Sequence, residues 1–311
     1  MDAGRDRPHG LLPVDERNPI ILDNDNLDDN WQGVYALLFG NAGSPPLAGI
    51  IVNDSAYVAD TNKSIGDWKA LVSAARQSGM LKGERSIPDP ILSVIPTLVR
   101  PSDGNIDATQ FTPSPGARFI VDTSARLALP YRPVVLVTGT RLTEPALAYL
   151  MDHTVVDRVV VVSAVGTISG SKGVMGAPNG DLDAWADWIV ATKFRYVQVG
   201  PRYDQTADVT AAQLSSLPKN PFCDSIANLQ GIVEGLADRP DQISLLAVAL
   251  PKFAVSVTRV APDPTATFTT TAGPNLVPTA NGPGWLVTGI NAEVARVRLW
   301  ELLNDPKTFA K

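Results

Sequence analysis

Apolar residues come in short unbroken runs along this chain, separated by stretches where they recur every third or fourth position. The runs at 20–23, 47–53, 134–138, 159–163 and 194–199 have the length and β-branched content of strands buried on both faces. Between them, Ile65, Trp68, Leu71, Val72 and Ala75 mark one face of a helix. Helices are also predicted over 31–38, 117–127, 144–151, 183–191, 226–237, 242–250 and 292–303. Residues 253–260 read as a further strand, and the Thr/Pro/Gly stretch 261–284 as an edge hairpin with loops. Residues 88–115 and 166–180 read as long loops, of the kind that carry function in compact domains.

Strands alternating with helices call for an α/β fold: a mostly parallel open sheet with right-handed crossovers and helices on both faces. No linker or repeat divides the chain. The expected organisation is a disordered or extended arm over 1–18 and a single large domain over 19–311. In such a sheet the strand C-termini share one edge, and ligands bind there. That topology brings Asp23, Asp25, Asn53, Thr138 and the loops after Ser163 and Val199 toward one crevice.

The first strand runs straight into Asp23-Asn24-Asp25-Asn26-Leu27-Asp28-Asp29-Asn30. Carboxylates this close repel one another unless a cation or a polyhydroxy ligand holds them. Composition narrows the choice. Of 311 residues, 44% are hydrophobic and 19% charged, with net charge −6 and no basic cluster, which argues against a nucleic-acid partner. No apolar run is long enough to span a bilayer, so no membrane partner is expected. The start of the chain has no apolar signal-like core, which fits a cytoplasmic protein or a secreted one whose signal has been removed. Cys223 is alone, excluding an internal disulfide and a thiolate metal site. Of the two histidines, His9 lies in the arm and His153 is placed in a helix-to-strand turn away from the crevice. A Ser/His/Asp site is therefore poorly supported.

Asp23-x-Asp25-x-x-x-Asp29 after a strand resembles the N-terminal signature of the inosine–uridine-preferring nucleoside hydrolase family. Three further segments are similar to the family in the same order: the strand and turn 135–143, residues 179–183 beginning at Asn179, and residues 241–251 ending in Pro251. The resemblance implies an open α/β fold with Ca²⁺ in the pocket and a small ribosyl or sugar ligand, and leaves self-association open. It makes Asp25 both metal ligand and general base, with Asn30, Thr138 (through its carbonyl) and Asp241 as further metal ligands. Asp29 and Asn179 would bind the ribose, Asn53 would join them, and Asp23 would stand behind the ligands. Hard oxygen donors and a vicinal diol suit Ca²⁺. Water activated by the metal beside a carboxylate base could then attack an oxocarbenium-like anomeric carbon.

The chain also departs from that pattern. The family's paired aspartates fall on Asp29 and Asn30 without a gap, or on Asp28 and Asp29 with a one-residue deletion. The distant ligand is Asp241 when Pro251 is the anchor, at the natural N-cap of its helix, or Ser244 when Ala247-Val248-Ala249 is. In the first case Pro240 replaces a His that protonates the leaving base, and Ala177 stands where a Glu precedes the ribose Asn. Trp31, Trp185 and Trp188 are open between base stacking and core packing. Two functions follow: a Ca²⁺-dependent enzyme cleaving an N-glycosidic ribosyl bond, or a catalytically degenerate relative that binds a ribosyl or sugar ligand without turnover.

Overall fold

The computed structural model describes residues 12–25, 32–55, 58, 60–165, 177–199, 213, 215–227, 240–268 and 273–309. Its centre is a sheet of nine described strands in the order β3-β2-β1-β4-β5-β6-β9-β7-β8. They are β1 (Ile20–Asn24), β2 (Leu47–Val52), β3 (Ile91–Leu92), β4 (Val134–Thr138), β5 (Val159–Ser163), β6 (Arg195–Val199), β7 (Val257–Pro262), β8 (Leu276–Pro278) and β9 (Gly284–Val287). Pairing from β3 through β9 is parallel, and β7 and β8 add antiparallel strands at the far side. The five strands expected from the apolar runs are all present and parallel.

Alternation along the central strands sends successive side chains to opposite faces. Leu22, Val137, Val162 and Val197 join one buried cluster, whereas Ile21, Leu136, Val161 and Tyr196 join the other. The first face is covered by α1 (Gln32–Ala42), α2 (Thr61–Gln77), α8 (Pro221–Ala227), α9 (Pro240–Ala249) and α10 (Ala292–Asn304). The second is covered by α3 (Pro115–Leu127), α4 (Thr143–Met151), the short α5 (Val155–Arg158) and α7 (Ala184–Lys193). Each fully buried Val, Ile or Leu contributes about 1.5–3 kcal/mol, so these two layers are what fixes the sheet.

Some expectations shift. The strand expected over 253–260 runs instead over Val257–Pro262, because Pro251–Phe253 forms a 3-10 turn that ends α9. Residues 284–287, for which no strand is predicted, form β9 and insert between β6 and β7. The loop 88–115 contains β3 and one 3-10 turn, Ile106–Ala108. Of the helix expected over 226–237, residues 228–237 lie outside the described residues, and the helix seen is Pro221–Ala227. Within the first eighteen residues, 1–11 lie outside the description. Leu12 and Val14 are buried in the first cluster, and Asn18 donates to the Pro133 carbonyl at 2.7 Å.

A buried acid secures the second face. Asp187 of α7 accepts a hydrogen bond from the Gly273 backbone N–H, and a Cβ on Gly273 would lie 2.2 Å from its carboxylate. Burial raises the Asp187 pKa from 3.8 to about 7, with Asp183 and Asp181 pushing the same way. Between these values the folded chain holds a proton that the unfolded chain has released. The resulting stability is complete below pH 3.8 and is lost as pH rises through about 7. Its size is on the order of 4 kcal/mol. Asp187→Asn keeps an acceptor for Gly273 and removes the titration. The difference in urea-unfolding free energy between pH 4.5 and 7.5 should therefore be smaller in the variant than in the wild type. Equal differences would show that Asp187 ionises normally.

Candidate functional site

The C-terminal ends of β1, β4, β5 and β6 carry a row of polar side chains. Asp23 is in register with Thr138, Thr138 with Ser163, and Ser163 with Gln198. All four are fully buried on the α3/α4/α7 side. Thr138 Oγ1 donates to Asp23 Oδ2 at 3.3 Å, and Ser163 Oγ donates to the Thr138 carbonyl at 2.8 Å. The Gly139 N–H reaches the Asp23 carbonyl at 2.9 Å, which carries the β1–β4 pairing to the end of both strands. Among the described residues, Asp23 Oδ1 and both polar atoms of the Gln198 amide find no hydrogen-bond partner. Burial, reinforced by the Glu144 charge, raises the Asp23 pKa well above the usual carboxylate range.

Asp241 reaches this edge from the other layer. Its carboxylate packs against Gly139, where a Cβ would meet Asp241 Oδ2 at 2.5 Å. Of the two residues weighed from sequence, Asp241 lies against Gly139, and Ser244 is fully buried within α9. One detail is corrected: α9 begins at Pro240, so Asp241 is in the first turn and not at the N-cap. A proline is well suited to the first helical position. From the α7 side, Asn179 sits in α6 (Ala177–Leu182) and its Nδ2 donates to the Gly139 carbonyl at 3.1 Å. Gly139 is thus flanked by Asn179 and Asp241. Gly139→Ala should displace the end of the Asp241 side chain while costing little stability, about 1 kcal/mol or less. A larger loss in urea unfolding would mean that Gly139 itself is strained.

Asp25 follows β1, is buried, and its N–H is held by Asn24 Oδ1 at 2.7 Å. Asn53, at the end of β2, is fully buried and accepts from the Asp54 N–H through Oδ1 at 2.9 Å, while its Nδ2 finds no partner among the described residues. Asp28, Asp29, Asn30 and Trp31 lie outside the described residues. Among the described residues, Asp23, Asp25, Asn53, Thr138, Asn179 and Asp241 therefore all belong to this edge of the sheet. Trp185 is taken up by packing: it is buried, bonds Thr109 Oγ1 at 2.9 Å, and meets Phe268 edge-on, as Trp188 also does. His153 stacks on Tyr149 at the opposite edge, before β5.

Two charged residues that the sequence did not single out lie beneath the site. Arg141 is buried, bonding Asp54 Oδ1 at 2.5 Å and also the Ile95 carbonyl. Glu144, fully buried, accepts from Ser114 Oγ at 2.5 Å. Burial raises the Glu144 pKa, and Arg141 pulls down Asp23, Glu144 and Asp183 together. Asp183 caps α7 and also accepts from Thr143 Oγ1 at 2.7 Å and the Leu98 N–H at 3.0 Å, tying the loop 88–115 to this edge.

The oxygens that the resemblance assigns to an ion, the Asp25 and Asp241 carboxylates and the Thr138 carbonyl, are all hard donors. Such a set fits Ca²⁺ or Mg²⁺ in kind. Among the described residues no three His, Cys, Asp or Glu side chains gather as a metal group.

By sequence the chain matches no family model and no curated protein. By structure it is similar to an inosine–uridine-preferring nucleoside hydrolase from Bacillus anthracis, with a TM-score of 0.65 and 14% identity over 92% of this chain and 99% of that one. An inosine–guanosine nucleoside hydrolase gives a TM-score of 0.60 and 15% identity over 92% and 98%. A purine-preferring ribonucleoside hydrolase from Gardnerella vaginalis gives 0.58 and 14% over 94% and 98%. The chain has a nucleoside-hydrolase-like α/β fold. Identities this low speak for the fold and nothing finer.

Proposed function

We propose that this chain is a Ca²⁺-dependent hydrolase that cleaves the N-glycosidic bond of a ribosyl substrate. The observation that carries this reading is the placement of Asp241 against Gly139, beside Thr138 and the end of β1. Asp25, Asn30, Asp241 and the Thr138 carbonyl would hold the ion. When bound, Ca²⁺ would supply polarisation of water and of the ribose diol. Asp25 takes the proton from the attacking water. Asp29, Asn53 and Asn179 hold the sugar hydroxyls, and Asp23, bonded to Thr138, steadies the two strand ends. With Pro240 where the family has a leaving-group His, departure depends on the leaving group's own acidity. An aryl riboside with an acidic phenol should therefore react faster than a purine nucleoside.

A second reading keeps the ligand and drops the chemistry. Asn30, Pro240 and Ala177, each at a position that carries a functional side chain in the family, favour a protein that binds a ribosyl or sugar ligand without turnover. Calorimetry with Ca²⁺ and then ribose supports the metal-and-sugar site if both bind. If neither does, both forms of the reading fail.

A further inference from the structure

We infer that Gln32 is a positioning residue that ties the end of β1 at Asp25 to Asp241 at the head of α9. This rests on the metal reading above, because it concerns how two of the proposed ligands are held relative to each other. Asn24 closes β1 on the face opposite Asp23, toward α1 and α9. Its carboxamide is engaged at both ends: Oδ1 accepts from the Asp25 N–H at 2.7 Å, and Nδ2 donates to Gln32 Oε1. Gln32 continues the chain, with Nε2 donating to the Asp241 carbonyl at 2.5 Å, across 209 positions of sequence. Asn24 and Gln32 are both fully buried.

The chain has one direction. Each amide uses its oxygen toward Asp25 and its nitrogen toward Asp241, so flipping either group breaks two bonds. Helix-to-helix packing alone does not require this. Two buried amides are costly unless satisfied. Here they join the backbones of two residues at the same edge of the sheet. Gly139 lies against the Asp241 carboxylate and Gln32 holds its backbone, so the residue is fixed from two sides.

The test uses Gln32→Met, which keeps length and apolar packing and removes both bonds. Ca²⁺ affinity is read by calorimetry, and stability without Ca²⁺ by urea unfolding. The expected result is an approximately tenfold weaker Ca²⁺ affinity with folding retained. Asn24→Ser breaks the chain one link away and carries the same expectation, which matters if Gln32→Met does not fold. A double variant should bind Ca²⁺ no more weakly than Gln32→Met alone, because the chain is already cut; a merely structural role gives additive losses. Equal affinities in wild type and variants, or additive losses, overturn this inference and leave the metal reading standing. A wild type that binds no Ca²⁺ overturns the metal reading and this inference with it.

Discussion

Replacing Arg141 with Met should destabilise the protein by about 2–3 kcal/mol, less than for a fully buried pair, because Asp54 is 27% exposed. The guanidinium bonds Asp54 and the Ile95 carbonyl, so its loss releases both the end of β2 and the loop 88–115. It is also the cation that lowers the pKa of Asp23, Glu144 and Asp183, all buried and all already raised by desolvation. A carboxylate raised in the folded state lowers stability as pH climbs through its folded value. The Arg141→Met deficit should therefore grow from mildly acidic to neutral pH. Urea unfolding at two pH values measures it. Arg141→Met combined with Asp54→Asn should recover part of the loss, since the pair is removed together. A deficit under about 1 kcal/mol would place the guanidinium among weakly coupled surface groups.

The second large effect concerns the proposed ion. Stabilisation by a ligand bound only to the folded state is about 2.7 kcal/mol at a hundredfold excess over Kd. Asp25→Ala and Asp241→Ala should each abolish the Ca²⁺-dependent rise in melting temperature, because each removes a formal charge and a donor. Asn30→Asp should enlarge that rise, since affinity follows ligand charge. A rise that survives in Asp241→Ala would return the distant ligand to another residue.

The parallel strands were legible because a strand buried on both faces must be continuously apolar, and Val134–Thr138 and Val159–Ser163 are. Strand β9 was not. Its four residues follow Gly282 and Pro283, and only contacts with β6 and β7 make it a strand. That Asp23, Asp25, Asn53 and Thr138 lie at or just past strand ends was legible from where the apolar runs stop. Arg141 and Glu144 escaped notice because isolated charges in a strand-to-helix turn read as solvated, and their burial comes from Ser114 and the loop 88–115 folding over them. Gln32 escaped for a related reason. Its partner, Asp241, is remote in sequence, and nothing local distinguishes it from any polar residue opening a helix.

Hydrolysis of a ribosyl bond by this chain should need Ca²⁺. The most direct measurement is phenol release from a chromogenic aryl riboside by the purified chain, with Ca²⁺ and with a chelator, beside Asp25→Ala. Release is expected in Ca²⁺, with loss on chelation and recovery on re-addition, and none from the variant. No release from a chain shown by calorimetry to bind both Ca²⁺ and the riboside would contradict it and leave a ligand-binding protein.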